Sequence, residues 1–364
     1  MRPARADTRS KPERGRDYGY SNARVRGMRS RLLPSSFYDS FMECPDLQAT
    51  IRALSGTEYG PDLESKILHG QTFGAVDEAL KENMVRTYRK VLRVVNGEGR
   101  FIVSTLLGRW DLFDIKTIIR GKHMHLPAEE IEESLIAAGE LTKVDLDALT
   151  NQEDVRGVVD TLYIWGVPYG VPLRAAMREY VATNNLAGLE LALDRHYAEW
   201  ASERLSNRRE NYQLAERVLA AQTDATNLVT AFRLLKADME GADKAALFLP
   251  GGKDVSIELF RELTGLSDID EVLERLRRTP YGKSLEAAAL EYVESGSIAV
   301  LERVLEDFVM RRALATSHVN PLGAGVLISF VWAKQNEVTN LRIIVKGSSV
   351  GMPPDRMRRE LIVV

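Results

Sequence analysis

Hydrophobic residues recur at three- and four-residue intervals along most of this chain, and short polar breaks separate the runs. This spacing is typical of amphipathic helices. Strict alternation of apolar and polar residues, which would indicate strands, is scarce, and the two candidates are 341–345 and 361–364. We expect the first segment to be helical and the second to be too short to change the fold class. The sequence therefore predicts an all-α protein.

Three apolar helical segments share one pattern and lie at a fixed distance from each other. In each, an amide or carboxylate precedes an apolar run that ends in a basic residue, and the marker residues Asp114, Asn227 and Asn340 are 113 residues apart. The segments read WDLFDIKTIIRG at 110–121, TDATNLVTAFRLLK at 223–236 and NEVTNLRIIVKG at 336–347. A period of this length has the size of a small domain.

Two further features recur in the same order. A Tyr-Gly pair follows a helix-like run at Tyr59-Gly60, Tyr169-Gly170 and Tyr281-Gly282, and a long amphipathic helix is expected at 73–92, 186–205 and 298–315. The sequence therefore predicts three similar helical repeats. Their expected bounds are a flexible basic tail at 1–17, then repeats at 18–125, 126–236 and 237–364, with the N-terminal helix packing against the C-terminal helices.

The helix that begins at Tyr18 carries small residues on one stripe. Ala23 and Gly27 lie on the same side as Tyr20, and this spacing predicts close approach of another helix there. Ser35 or Ser36 is expected to cap the next helix, because serine is a preferred residue at helix N-termini. The apolar run 326–333 is expected to be a buried helix.

Composition and length narrow the class of protein. The chain has 364 residues, of which 45% are hydrophobic, and a net charge of -3. Its single cysteine, Cys44, excludes an intrachain disulfide. No apolar run is long enough to span a membrane, and the basic N-terminus lacks the apolar core of a secretory signal. These features predict a cytoplasmic protein.

Motifs of catalytic and cofactor sites are missing from the sequence. Gly282-Lys283-Ser284 resembles the end of a phosphate-binding loop but lacks its first glycine, and no GxGxxG pattern occurs. His123 and His125 are the only paired histidines, and no cysteine or carboxylate cluster accompanies them, so a solvated loop is favoured over a metal site. We therefore expect no catalytic residue, no cofactor, no metal and no directly bound nucleotide.

Basic residues concentrate near both ends of the chain. The first helix carries Arg24, Arg26, Arg29 and Arg31, and a second cluster consists of Arg356, Arg358 and Arg359. Binding to nucleic acid and binding to an acidic protein surface both explain such clusters. The negative net charge and the few interleaved aromatic residues favour the acidic protein surface.

Two motifs resemble a known family. Tyr20-Ser-Asn22-Ala-Arg24-Val-Arg26, followed by Leu32-Leu33, resembles the N-terminal signature of the C subunit of archaeal and bacterial A/V-type ATPases, which are relatives of the eukaryotic V-ATPase d subunit. The segment from Glu337 to Gly347, EVTNLRIIVKG, is similar to the closing motif of that family. The resemblance covers the chain from about residue 18 to its end, and the basic extension before Tyr18 departs from it.

The resemblance implies three similar helical lobes arranged as a pseudo-threefold funnel, and a rotor subunit that performs no bond chemistry. Such subunits lie on the cytoplasmic end of the membrane proteolipid ring and hold the foot of the central stalk, for ATP-driven ion transport or ATP synthesis. Four motif residues are expected to hold the fold together, namely Tyr20, Asn22, Asn340 and Gly347. The residues expected to contact acidic partner surfaces are Arg24, Arg26, Arg342, Lys346, Arg356, Arg358 and Arg359.

A second hypothesis remains from the residues alone. A helical-repeat scaffold or nucleic-acid-associated protein would use the basic N-terminus, and salt-dependent binding to DNA or RNA would distinguish it from a rotor subunit.

Overall fold

The computed structural model describes residues 18–237 and 243–363, which form eighteen α-helices and two short 3₁₀ helices without any strand. The all-α prediction is confirmed, and 341–345 lies inside a helix. The basic tail expected at 1–17 lies outside the described residues.

The helices of the first half are α1 (Tyr18–Arg29), α2 (Ser35–Met42), α3 (Leu47–Ser55), α4 (Gly60–Lys66), α5 (Phe73–Val94), α6 (Gly97–His123), α7 (Ala128–Glu133), α8 (Lys143–Thr150) and α9 (Val155–Ile164). The remaining helices are α10 (Gly170–Thr183), α11 (Ala187–Leu205), α12 (Glu210–Lys236), α13 (Ile257–Gly265), α14 (Ile269–Leu276), α15 (Gly282–Ser295), α16 (Ile298–Val319), α17 (Gly325–Ser349) and α18 (Pro354–Glu360), and the 3₁₀ helices are Ile67–His69 and Lys244–Leu247.

The described residues divide into two compact units. The first, here called the terminal unit, contains 18–117, 127–150 and 314–363. The second, the central unit, contains 118–126, 151–237 and 243–313. The long helices α5, α11 and α16 coincide with the three predicted amphipathic helices, which confirms those predictions.

The terminal unit is built around α17. Residues Gly325 to Trp332 of this helix are buried without interruption, and α17 packs against α1, α2, α3, α5 and α18. A helix that is apolar on all sides needs neighbours on all sides, because any exposed face would leave hydrocarbon in water. The prediction of a buried helix at 326–333 is therefore confirmed.

The core of the central unit forms around the second half of α12. Leu228 and Phe232 of α12 are fully buried together with Phe260 of α13, Leu276 of α14 and Leu301 of α16. Burial of large aliphatic and aromatic side chains contributes roughly 1.5–3 kcal/mol each, so this cluster stabilises the position of α12 within the unit.

Each Tyr-Gly pair stands where one helix ends and the next begins. Gly60, Gly170 and Gly282 are the first residues of α4, α10 and α15, and the preceding tyrosines are buried. A β-carbon on Gly60 would lie 2.4 Å from the carbonyl oxygen of Ser55, and one on Gly282 would lie 2.4 Å from that of Arg277. The glycine recurs because the new helix starts in contact with the backbone of the previous one.

Two expectations for the N-terminal region are wrong. The buried side of α1 consists of Ser21, Asn22 and Val25, whereas Tyr20 is 59% exposed and a β-carbon on Gly27 would meet no atom within 4 Å. The small-residue stripe therefore faces solvent, because polar contacts of Asn22 described below fix the rotation of the helix.

Serine does not cap α2. The residue before the helix is Pro34, with the extended angles φ -71° and ψ 160°, and no side chain bonds to the free backbone N–H groups. Ser35 is already the first residue of the helix, where its hydroxyl is past the capping position.

Candidate functional site

The marker residues Asp114 and Asn227 are fully buried, and both tie their helix to a segment 22 residues further on. The carboxylate of Asp114 accepts hydrogen bonds from the N–H groups of Ile136 and Ala137, both at 2.8 Å. The amide of Asn227 accepts from the N–H of Leu249 and donates to its carbonyl oxygen, both at 2.9 Å. These bonds explain why a short acceptor side chain recurs at this position.

Asn340 makes the same pair of contacts in the terminal unit. Its amide accepts from the N–H of Ile362 at 3.2 Å and donates to the carbonyl oxygen of Ile362 at 2.9 Å, again 22 residues downstream. Asn336 donates to the same carbonyl oxygen at 2.7 Å. The C-terminal segment is thereby held against α17.

A carboxylate that sequence reasoning missed lies three residues before each marker. The first, Asp111, is buried and accepts hydrogen bonds from the N–H groups of Glu140 and Leu141, at 2.9 and 2.8 Å. Burial raises the pKa of Asp111 to about 7, although the two backbone donors oppose the shift. Burial likewise raises the pKa of Asp114 to about 6, and its backbone donors again oppose the shift. A buried carboxylate of this kind is retained in its site by main-chain donors.

The second carboxylate, Asp224, accepts more hydrogen bonds than Asp111 does. It accepts from the N–H groups of Lys253, Asp254 and Val255 at 2.9–3.1 Å, and from the hydroxyl of Tyr281 at 3.2 Å. Burial raises the pKa of Asp224, and the backbone donors oppose that shift. The tyrosine belongs to a Tyr-Gly pair, so two recurring features of the sequence contact each other here.

The third carboxylate, Glu337, accepts hydrogen bonds from residues that are distant in sequence. It accepts from the N–H of Leu33 at 2.5 Å, across 304 residues of chain, and from the hydroxyl of Tyr59 at 2.7 Å. Lys334 lies 2.9 Å from Glu337 and also donates to the hydroxyl of Tyr59 at 2.7 Å. Burial lowers the pKa of Lys334 and raises that of Tyr59. Here too the tyrosine of a Tyr-Gly pair contacts the recurring carboxylate.

The N-terminal helix is fastened to the turn before α17. Asn22 is buried and donates from its amide to the carbonyl oxygen of Gly323 at 3.2 Å, and Arg26 donates to that of Pro321 at 2.6 Å. Asn22 thus connects α1 to the backbone of this turn. Arg26, expected to contact a partner, is engaged with its own chain.

Two other residues expected at a partner surface form ion pairs within the terminal unit. Arg342 lies 2.5 Å from Asp77, and Arg358 lies 3.0 Å from Asp39. Both guanidinium groups are about half exposed, so each keeps a solvent-facing side.

The remaining basic residues are more accessible. Arg24, Arg356 and Arg359 are exposed, and the ammonium group of Lys346 lies 4.9 Å from the centre of the Phe73 ring. A lysine over an aromatic face is stabilised by the ring quadrupole and still presents charge to solvent.

Gly347 lies where α17 meets α18. A β-carbon there would approach the sulfur of Met357 to 2.4 Å and its Cγ to 2.7 Å. The glycine thus allows the two helices to pack closely.

The histidine pair differs from its expected setting. His123 is the last residue of α6 and its Nδ1 lies 3.0 Å from the hydroxyl of Tyr180, so the expectation of a loop is wrong for it. His125 follows in a left-handed conformation with φ 57°. Within 18–237 and 243–363, no group of three or more histidine, cysteine, aspartate or glutamate residues is arranged to hold a metal ion.

None of the helices in the described part of the chain combines the length and apolar character needed to cross a membrane.

In a comparison with known proteins, residues 21–360 match the family model of the ATP synthase (C/AC39) subunit. The chain belongs to this family. Among its relatives is the C subunit of the A-type ATP synthase of Methanococcoides burtonii, 30% identical over 351 residues, covering 95% of this chain and 94% of the relative. The corresponding A-type protein of Haloferax volcanii is 30% identical over 361 residues, covering 95% and 97%. The C subunit of the V-type ATP synthase of Deinococcus radiodurans is 29% identical over 349 residues, covering 95% and 91%.

The family assignment confirms the resemblance drawn from the N-terminal and C-terminal motifs. The matched region includes all eighteen helices except the first residues of α1. A nucleic-acid-associated scaffold is not favoured, because the relatives are named as ATP synthase subunits.

Proposed function

We propose that this chain is a non-catalytic central-rotor subunit of a V/A-type ATPase. It couples the central stalk to the membrane proteolipid ring on the cytoplasmic face of the membrane, during ATP-driven ion transport or ATP synthesis. The observation that carries this proposal is the match over residues 21–360 to the family of ATP synthase C subunits, with relatives covered over almost their whole length.

The proposal includes three similar lobes, at 18–125, 126–236 and 237–364, arranged as a pseudo-threefold funnel. Its support is the repetition of local contacts. Asp114, Asn227 and Asn340 lie 113 residues apart, and each bonds to backbone 22 residues downstream. Repeated anchors at a constant spacing are expected of lobes that share one design.

A subunit that transmits torque needs stiffness. Helices α6 and α12 each contain 27 residues, which corresponds to roughly 40 Å of continuous helix. Buried hydrogen bonds from backbone N–H groups to Asp111 and Asp224 resist sliding of the loops against these helices. The structure thus has long helices whose connecting loops are hydrogen-bonded to them, which suits a mechanical role.

Contacts with the stalk and the ring are assigned to the basic residues on the surface. Arg24, Arg356 and Arg359 are the most accessible of those proposed, and Arg342 and Arg358 retain exposed guanidinium groups beside their ion-pair partners. Such residues favour acidic partner surfaces and guide association electrostatically.

The experiment that tests the proposal uses membrane vesicles from the native cell with and without the gene for this chain. We expect vesicles without the chain to lose ATP-driven ion uptake, while the catalytic heads keep ATP hydrolysis, and a wild-type copy to restore uptake. Affinity purification of the tagged chain should recover stalk, proteolipid and head subunits. Undiminished ion uptake in the deletion strain, or recovery of none of these subunits under conditions that preserve the ATPase, would contradict the coupling role.

A further inference from the structure

The terminal unit contains a strongly basic pocket beside α1, α5 and α17. It is a cavity of about 450 Å³, and its apolar lining includes Leu32, Val94 and Phe330. Cationic side chains dominate the rest of the wall, and they are Arg24, Arg31, Arg86, Lys90, Arg93 and Lys334. Glu58 is the one carboxylate among the lining residues.

The pocket arises from helix periodicity in three separate parts of the sequence. Arg86, Lys90 and Arg93 lie four and three residues apart on α5, which places their side chains on one stripe. Arg24 on α1 and Lys334 on α17 join them because α1, α5 and α17 pack against one another. Like charges at these spacings repel each other, so the arrangement itself costs stability.

Half of the cationic groups are neutralised by carboxylates of the same unit. Arg24, Lys90 and Arg93 form no ion pair with any described residue, and Lys90 is partly buried. The neutralised groups are Arg31 with Glu58 at 3.3 Å, Arg86 with Asp62 at 2.7 Å and Lys334 with Glu337 at 2.9 Å. An excess of positive charge therefore remains in a concave site that is partly lined by apolar side chains, where the local field is focused.

We propose that this pocket binds a small anion that carries two or more phosphate groups. Guanidinium groups offer planar pairs of donors that match phosphate oxygens, and charge-assisted hydrogen bonds of this type are among the strong ones. A phosphate group brings about -1.5 to -2 charges near neutral pH, so two of them balance the three cations that lack a carboxylate. The cavity volume lies within the roughly 300–1,000 Å³ of ligand sites.

The test is isothermal titration calorimetry of the full-length chain with inorganic pyrophosphate at low ionic strength. We expect saturable binding at a single site. The double substitution Lys90→Gln and Arg93→Gln should weaken binding at least roughly tenfold, because each removes a charge-assisted contact. Arg178→Gln with Lys283→Gln is the matched control, since it removes the same charge from exposed residues of the central unit. This control should bind as the wild type does, and circular dichroism should show both variants folded.

Further probes separate pyrophosphate from other anions. Sulfate tests for a general anion, and hexaglutamate tests for an acidic protein segment. Absent saturable binding of pyrophosphate, equal weakening by both double variants, equal affinity for sulfate, or tighter binding of hexaglutamate would each overturn the proposal. The isolated chain is used, so the outcome is independent of whether the chain couples stalk and ring.

Discussion

Asp224 in the central unit and Glu337 in the terminal unit occupy the same position in the repeated pattern but are satisfied in different ways. Asp224 accepts from three consecutive N–H groups, 29–31 residues downstream. Glu337 accepts from Leu33, at the opposite end of the chain, and has the buried Lys334 as a countercharge. These two sites thus share a buried carboxylate and a tyrosine donor, whereas their other donors depend on which segment reaches the carboxylate.

The largest expected effect tests the buried countercharge. Lys334→Met removes the ammonium group, whose side chain is 5% exposed beside a glutamate that is 3% exposed. Leaving a buried charge unpaired costs about 3–5 kcal/mol, so we expect that loss in the free energy of unfolding, measured by urea denaturation. Asp224→Asn, where no buried ion pair is broken, should cost about 1–3 kcal/mol. An equal or smaller loss for Lys334→Met would remove the distinction between the two sites.

A smaller effect is expected from the glycine beside Asp224. In Gly252→Ala the new β-carbon would lie 2.0 Å from Oδ1 of Asp224, so the carboxylate must move away from its donors, at a cost of about 1–3 kcal/mol. Gly27→Ala is the control, because that exposed helical glycine has open space around it and alanine should stabilise the helix by about 0.5–1 kcal/mol. Thermal unfolding measures the change in stability of both variants. If both substitutions stabilised the protein, or both destabilised it, the role of Gly252 would be contradicted.

The last prediction concerns pH and the remaining carboxylate of the pattern, Asp111. Burial raises its pKa from 3.8 to about 7 in the folded chain, so the folded state binds more protons than the unfolded state between those values. Its contribution to stability is therefore present at low pH and lost as the pH rises through about 7, by at most about 1.4 kcal/mol per pH unit. In Asp111→Asn the fall in the free energy of unfolding between pH 4 and 7 should be less steep. Parallel pH profiles of variant and wild type would contradict this assignment.

Sequence periodicity predicted most of the helical fold. The long amphipathic helices, the Tyr-Gly junctions and the buried run in α17 are visible because apolar spacing reports which face of a helix is covered. The rotation of α1 was predicted wrongly, since it depends on the hydrogen bond from Asn22 to the distant Gly323. Residue type alone cannot indicate a partner 301 residues away.

The buried carboxylates leave a signal in the sequence. Asp111, Asp224 and Glu337 repeat at the same 113-residue spacing as the markers that follow them, so an acidic residue three positions earlier was detectable. The bond from Leu33 to Glu337 and the basic pocket have no such signal, because both bring together segments from opposite ends of the chain.

The bond between Leu33 and Glu337 also has a consequence for biosynthesis. Ribosomes add about 5–20 residues per second, so the 304 residues between the two partners take on the order of 15–60 seconds to make. During that time the N-terminal segment has no native partner in α17. The last long helix to leave the ribosome therefore completes the first part of the protein to have been made.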